Sequence, residues 1–355
     1  MIESLGIRWW GCGVRDWRTD PTFAMCRALV DGADLAAFVG GAFDVRAVVA
    51  GIQSGARRGL LLDAVPWGNF PHGDDAREAV HLLRASEDPA SYATGVLGGL
   101  CANDSRAAAA LAVPFLIRIA ADAHHPHRAA ALAVLPGPAR ARHYGVASRD
   151  ELLLHRNDPR RHAPYDYDDY GVEVTGYPAG WSVAAARAAI TAETPVLLPL
   201  LNDSDSTIRI DATYALATAA DPDHVVRTAL AARLATEHDA IVRAALLLAV
   251  AEITRAHVQP PTVWWFRERW QDRTEAPEVR LAAAIGWLCL TDEPAPEDLH
   301  QTIDTFATEE RAHAMDTLPW MHAAGSGEPG LSRCIRCMLH PEEPEPYGDP
   351  WAFPL

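Results

Sequence analysis

The chain has 355 residues, of which 49% are hydrophobic and 22% charged, a balance that supports a packed core and argues against extended disorder. Its formal charge of −16 opposes a role that tracks phosphate backbones. All 31 basic residues are arginine, which excludes a Schiff-base lysine and the lysine of a phosphate-binding P-loop.

Met1-Ile2-Glu3-Ser4 carries no basic region ahead of an apolar core, and no uninterrupted apolar run reaches the ~18 residues of a membrane span. Six scattered cysteines suit reduced thiols, so the expected setting is cytoplasmic. From the N-terminus, helical spacing predicts a first helix over residues 22–38. Val45-Arg46 with Val49 and Ile52 then reads as a degenerate helical unit. Residues 105–121 read as one helix kinked at Pro114, followed by a second from His127-Arg128 through Leu135.

Residues 136–180 break the pattern. This stretch holds five of the eight tyrosines, a basic run at 156–162 and an acidic one at Tyr165-Asp166-Tyr167-Asp168-Asp169-Tyr170. A long aromatic insertion between periodic segments points to a binding loop, within which only residues 150–156 read as helical.

The clearest signal follows at 194–290. Thr194-Pro195 reads as an N-cap with proline at the first helical position, and Asn202-Asp203-Ser204-Asp205 as a polar turn. A second helix then carries Ile208, Ala212, Ala215 and Leu216 on one face. The unit returns from Asp221-Pro222 through Val250, and its second helix once more from Val279. The aliphatic-Arg pairs at 208–209, 242–243 and 279–280 repeat at spacings of 34 and 37 residues. Small residues (Ala215, Ala249, Gly286) sit at the same place in each copy, where helices must approach closely. Such a period with two helices per unit belongs to α-solenoids. Arg209, Arg243 and Arg280 are expected to reach a carboxylate or carbonyl of the neighbouring unit, as a register ladder. A short helix over 331–339 and a Pro/Glu-rich tail form the C-terminal cap and tail, residues 324–355.

These elements together resemble the HEAT family: proline near the start of the first helix, Asn/Asp in the turn, aliphatic-Arg opening the second helix, and a small-small-Leu ending. The resemblance implies an all-α chain, a single superhelix of helix pairs over residues 1–355 with one irregular insertion. The run from Trp67 through Leu135 is similar to actinobacterial HEAT-repeat proteins, through Ala79-Val80-His81-Leu82-Leu83-Arg84, Gly98-Gly99-Leu100-Cys101 and Ala112-Val113-Pro114-Phe115-Leu116. Some of that set look like immunity partners of secreted toxins. Where the set has His-Gln-Gly after Leu-Cys, this chain has Ala102-Asn103-Asp104. None of the fifteen histidines is followed by Glu, so the ligand pairs of HEAT-type di-iron enzymes are missing.

The function expected is a non-catalytic scaffold that binds a basic protein, with neither membrane nor nucleic acid as partner. Asp211, Tyr214 and Thr218 are the expected lining of the concave face, joined by Tyr165, Asp166, Tyr167, Asp168, Asp169 and Tyr170 of the insertion. Trp264 and Trp265 are adjacent on one helix and point about 100° apart, so one buried face cannot hold both, and an exposed Trp is an interface anchor. The alternative is an enzyme with Asp166, Asp168 and Asp169 as acid/base groups beneath the insertion, acting on a small molecule or modified base. No cofactor or metal is expected. Cys334-x-x-Cys337-x-x-His340 lacks a second ligand pair nearby, and Asp122-x-His124-His125-x-His127 reads as turn polarity.

Overall fold

The computed structural model describes residues 44–55, 61–70, 72–85, 90–102, 106–140, 146–154, 180–221, 224–325 and 327–342. The described chain is all-helical and contains no strand. Its N-terminal part comprises α1 (Val45–Gly55), α2 (Gly73–Ala85), α3 (Ala90–Ala102), α4 (Arg106–Ala121), α5 (Arg128–Val134) and α6 (Gly137–Arg140). After the insertion come α7 (Trp181–Ala192), α8 (Thr194–Leu197), α9 (Ser206–Leu216), α10 (Val225–Thr236), α11 (Ala240–Thr254), α12 (Pro260–Gln271) and α13 (Pro277–Leu290). The C-terminal part is α14 (Glu297–Phe306), α15 (Glu309–Met315), α16 (Pro319–Ala324) and α17 (Gly330–Leu339). The helix expected over residues 22–38 lies outside the described residues.

Local signals account for most of these boundaries. Asp205 caps α9 by accepting from the Thr207 amide at 2.8 Å, and Asp239 caps α11 through the Ile241 and Val242 amides. Pro260 and Pro277 open α12 and α13, where the missing N–H costs nothing. Thr194 is not the cap expected of it. It is the first residue of α8, and its hydroxyl donates back to the Ile190 carbonyl, because α7 runs almost directly into α8. Pro199 removes an amide from the α ladder, and the chain tightens there into a 3-10 turn over Leu198–Asn202.

Helix α4 is the buried hub of the N-terminal half, packed against α1, α2, α5 and α7. Nearly every face of it is buried, as expected of a helix that is apolar all round, and it runs through Pro114 as one element. Further on, α5 packs on α9, α9 on α11 and α11 on α13, a row formed by the second helix of each pair. Gly286 of α13 allows a close approach: a Cβ there would sit 2.8 Å from the Phe266 ring and 3.3 Å from the Ala251 Cβ.

The arginines that open these second helices do form rungs. Arg128 donates to Asp203 at 2.6 Å, Arg209 to Glu237 at 2.9 Å and Arg243 to Glu275 at 2.8 Å. In each case the acceptor lies in the turn before the second helix of the following pair. Two rungs are doubled from the first helix: Arg233 also binds Glu237, and Arg269 also binds Glu275. Arg280 departs from the pattern and donates to the Trp270 carbonyl at 2.9 Å. Its neighbour Arg311 reaches back instead, to Glu278.

One correction concerns the start of the insertion. Residues 150–154 form turns and bends rather than the helix expected from 150 onward. Arg255 holds this segment by donating to the Leu153 carbonyl at 2.5 Å and to the Asp150 carboxylate at 2.9 Å, which turns Leu152, Leu153 and Leu154 into the core. Arg149 adds bonds to the carbonyls of Met338 and Glu293. Tertiary anchoring outweighs the local helical spacing. No single helix among the described residues is long and apolar enough to cross a membrane.

Glu237 provides the test of the ladder. Its burial would raise its pKa, but the amides of Asp239 and His238 and the charges of Arg233 and Arg209 outweigh that and hold it at about 2. A depressed carboxylate pKa contributes stability above the unfolded value and loses it as pH falls through the folded one. Glu237→Gln should therefore cost about 3 kcal/mol at pH 7, the range for breaking a buried ion pair. The gap from the parent should close between about pH 4.5 and about pH 2 in denaturant titrations.

Candidate functional site

The face expected to line an open trough is covered. Asp211 and Tyr214 lie on α9 and Thr218 in the turn that follows it, and both Tyr214 and Thr218 are buried. Helix α16 packs over α9 and seats Trp320 edge-on against the Tyr214 ring, 4.6 Å between centroids at 78°. Arg140 lies over the other part of that ring, its guanidinium carbon 3.5 Å from the centroid. The Arg140 guanidinium donates twice to the Glu252 carboxylate, at 2.7 and 3.1 Å, and once to the Tyr214 carbonyl. Trp320 Nε1 donates to the same carboxylate at 2.9 Å. With Glu252 fully buried and Arg140 only 3% exposed, this is a sealed polar centre, not a surface open to a partner.

Asp211 sits half-buried beside it on α9 and has no ion pair among the described residues. Burial, reinforced by the charge on Asp205, pushes its carboxyl up to about 7. At neutral pH such a group carries about half of the negative charge expected of it. Tyr165, Asp166, Tyr167, Asp168, Asp169 and Tyr170 lie outside the described residues.

The tryptophan pair behaves as its helical offset requires. Trp264 is 61% exposed, whereas Trp265 packs edge-on against Phe266 at 4.9 Å with Arg269 5.2 Å above its ring. Trp270 and Phe266, on the inner face of α12, are fully buried. Along the outer face, Pro261, Trp264, Glu268 and Gln271 form an exposed stripe at i−3, i, i+4 and i+7.

Beside that stripe, α10 and α12 stand apart and leave a groove of about 710 Å³. Its floor is apolar, from Leu247 and Val250 of α11 and Val279 of α13. Arg227 and Ala231 of α10 form one wall, and Trp265 and Arg269 of α12 the other. Arg243 and Glu275 also line it, paired at 2.7 Å. The charged lining is thus three arginines to one glutamate, and Arg227 makes no ion pair among the described residues. Sequence reasoning missed this groove. Its only local trace is the Arg227-x-x-x-Ala231-x-x-x-Ala235 stripe, charged at one end and small after it.

The cysteine and histidine motifs do not assemble into a metal centre: no group of three or more His, Cys, Asp or Glu suited to an ion occurs among the described residues. Cys334 is buried on α17 and its thiol is raised well above the usual range by burial, with Cys289 and Cys337 adding to the shift. His125 and His127 face each other at 5.9 Å in the turn before α5. No protein-family model matches the chain, nor does any curated protein or solved structure.

Two outcomes are expected from this geometry. Glu252→Gln should destabilise the chain by about 3–5 kcal/mol by stranding a buried guanidinium, while the double change Arg140→Met with Glu252→Leu should recover most of that loss in chemical denaturation. Asp211→Asn should behave oppositely. A carboxyl raised in the fold loses stability as pH rises from its unfolded value to its folded one. The variant should therefore gain over the parent between about pH 4 and pH 7 and keep about 1–2 kcal/mol above it.

Proposed function

We propose that this chain is a non-catalytic, protein-binding scaffold built as a HEAT-like solenoid, and that its partner docks on the outer face of α12. The observation that carries the reading is Trp264, a large apolar side chain 61% exposed on a rigid helix whose inner face is locked by Phe266 and Trp270. Tryptophan is the side chain most often found at the energetic centre of protein interfaces, because it buries a large area at little entropic cost. The overall charge of −16 and the exposed Glu268 one turn from Trp264 favour a basic partner with an apolar socket. The solenoid arrangement is supported by the row of second helices and the three Arg–carboxylate rungs, two of which span 28 and 32 residues. The third, Arg128 to Asp203, spans 75, which falls to about 30 once the 136–180 stretch is set aside. Neutralisation of a basic toxin is one role such a scaffold could serve.

Trp264→Ala provides the experiment. Stability should change by no more than about 0.5 kcal/mol, as for an exposed position. Proteins retained by the parent chain from a cell extract should be lost with the variant, and a purified partner should bind it at least tenfold more weakly. Undiminished binding of that partner by the variant would overturn the reading.

A further inference from the structure

The groove between α10 and α12 holds a charge pattern opposite to that of the whole molecule. Glu275 is shared by Arg243 and Arg269, so the triad keeps one positive charge, and Arg227 on the facing wall adds a second. Arg243 leaves its Nε buried with no hydrogen-bond partner, an unmet donor in the groove lining. Arg269 is 38% exposed over the Trp265 ring, held there by that contact and by Glu275. The floor beneath these groups is aliphatic at Leu247, Val250 and Val279. The volume of about 710 Å³ falls within the roughly 300–1,000 Å³ of small-ligand sites.

We propose that this groove binds a small amphiphile with an anionic head and an apolar body: the head between Arg227 and Arg269, the body along Ala231, Leu247, Val250 and Val279. Glu275 can neutralise only one of Arg243 and Arg269, and Arg227 makes no ion pair among the described residues, so the head meets two uncompensated positive charges. A charge-assisted bond in a partly desolvated groove is about twice as strong as a neutral one. The aliphatic floor selects against compact anions such as inorganic phosphate or acetate. Trp264 is not among the residues that line this groove.

Isothermal titration of the full chain with sodium decanoate tests the assignment, with decanol, acetate and an acidic amphipathic helical peptide as comparisons. Decanoate should bind at least tenfold tighter than decanol, and acetate should not bind measurably. Arg227→Gln should weaken decanoate about tenfold and leave decanol unchanged. Ala231→Phe, an exposed wall position filled without disturbing the core, should abolish binding of both. Trp264→Ala should leave decanoate binding intact while removing the protein partner, so the two sites fail independently. The assignment is overturned if decanol matches decanoate, if Arg227→Gln has no effect, or if Ala231→Phe still binds. It also falls if the peptide occupies the groove and decanoate does not, which would make the occupant a protein helix.

Discussion

The Glu252 carboxylate is the point on which the architecture turns. A fully buried carboxylate is tolerable only when its charge and lone pairs are matched, and here the partners come from distant parts of the chain: Arg140, 112 residues before it, and Trp320, 68 after it. Meeting that demand draws α6, at the end of the N-terminal part, and α16 onto the same side of α9 and α11. Tyr214 fills the space between them, its ring under the Arg140 guanidinium and against the Trp320 indole. One side of the helix row is thereby closed with protein. Surface for a ligand or partner has to be found on the other.

That other side is governed by the first helices, which are less tightly joined than the second. Each Arg–carboxylate rung fixes a second helix against the turn of the next pair, and Gly286 lets α13 settle closely beneath Phe266. The rungs set register more than they add free energy, because the cost of taking their charges out of water offsets much of what the ion pairs gain. Where α10 and α12 diverge above this tightly registered floor, the groove opens. Small residues such as Gly286 let the second helices approach closely, while Trp265 and Arg269 line the wall of the groove above them.

Charge is distributed just as unevenly. A net −16 describes the whole chain, yet the groove is lined by more arginine than glutamate, and Asp211 on the closed side carries a carboxyl raised to about 7. Attraction of a basic protein and of a small anion are therefore compatible on one molecule. The long-range field follows net charge, while a partly desolvated site follows its own nearest groups.

Helix type was legible in the sequence where it rests on contacts within a few residues: the polar turn at 202–205 and the apolar spacing from Ile208 to Leu216 after it, though the cap expected at Thr194 was displaced by the run of α7 into α8. The rungs at Arg209 and Arg243 were legible for a related reason, because a repeat places each arginine next to the same turn of its neighbour. So was the exposure of one of two adjacent tryptophans, which follows from 100° per residue. What only the tertiary structure decided depends on residues far apart along the chain. Tyr214 has the spacing of a surface residue, and is buried because Trp320 arrives from more than a hundred residues away. Residues 150–154 have helical spacing, and are instead drawn into turns by Arg255. The groove is a property of the distance between two helices. Local periodicity records which face of a helix is apolar, but it holds no record of what will come to rest against that face.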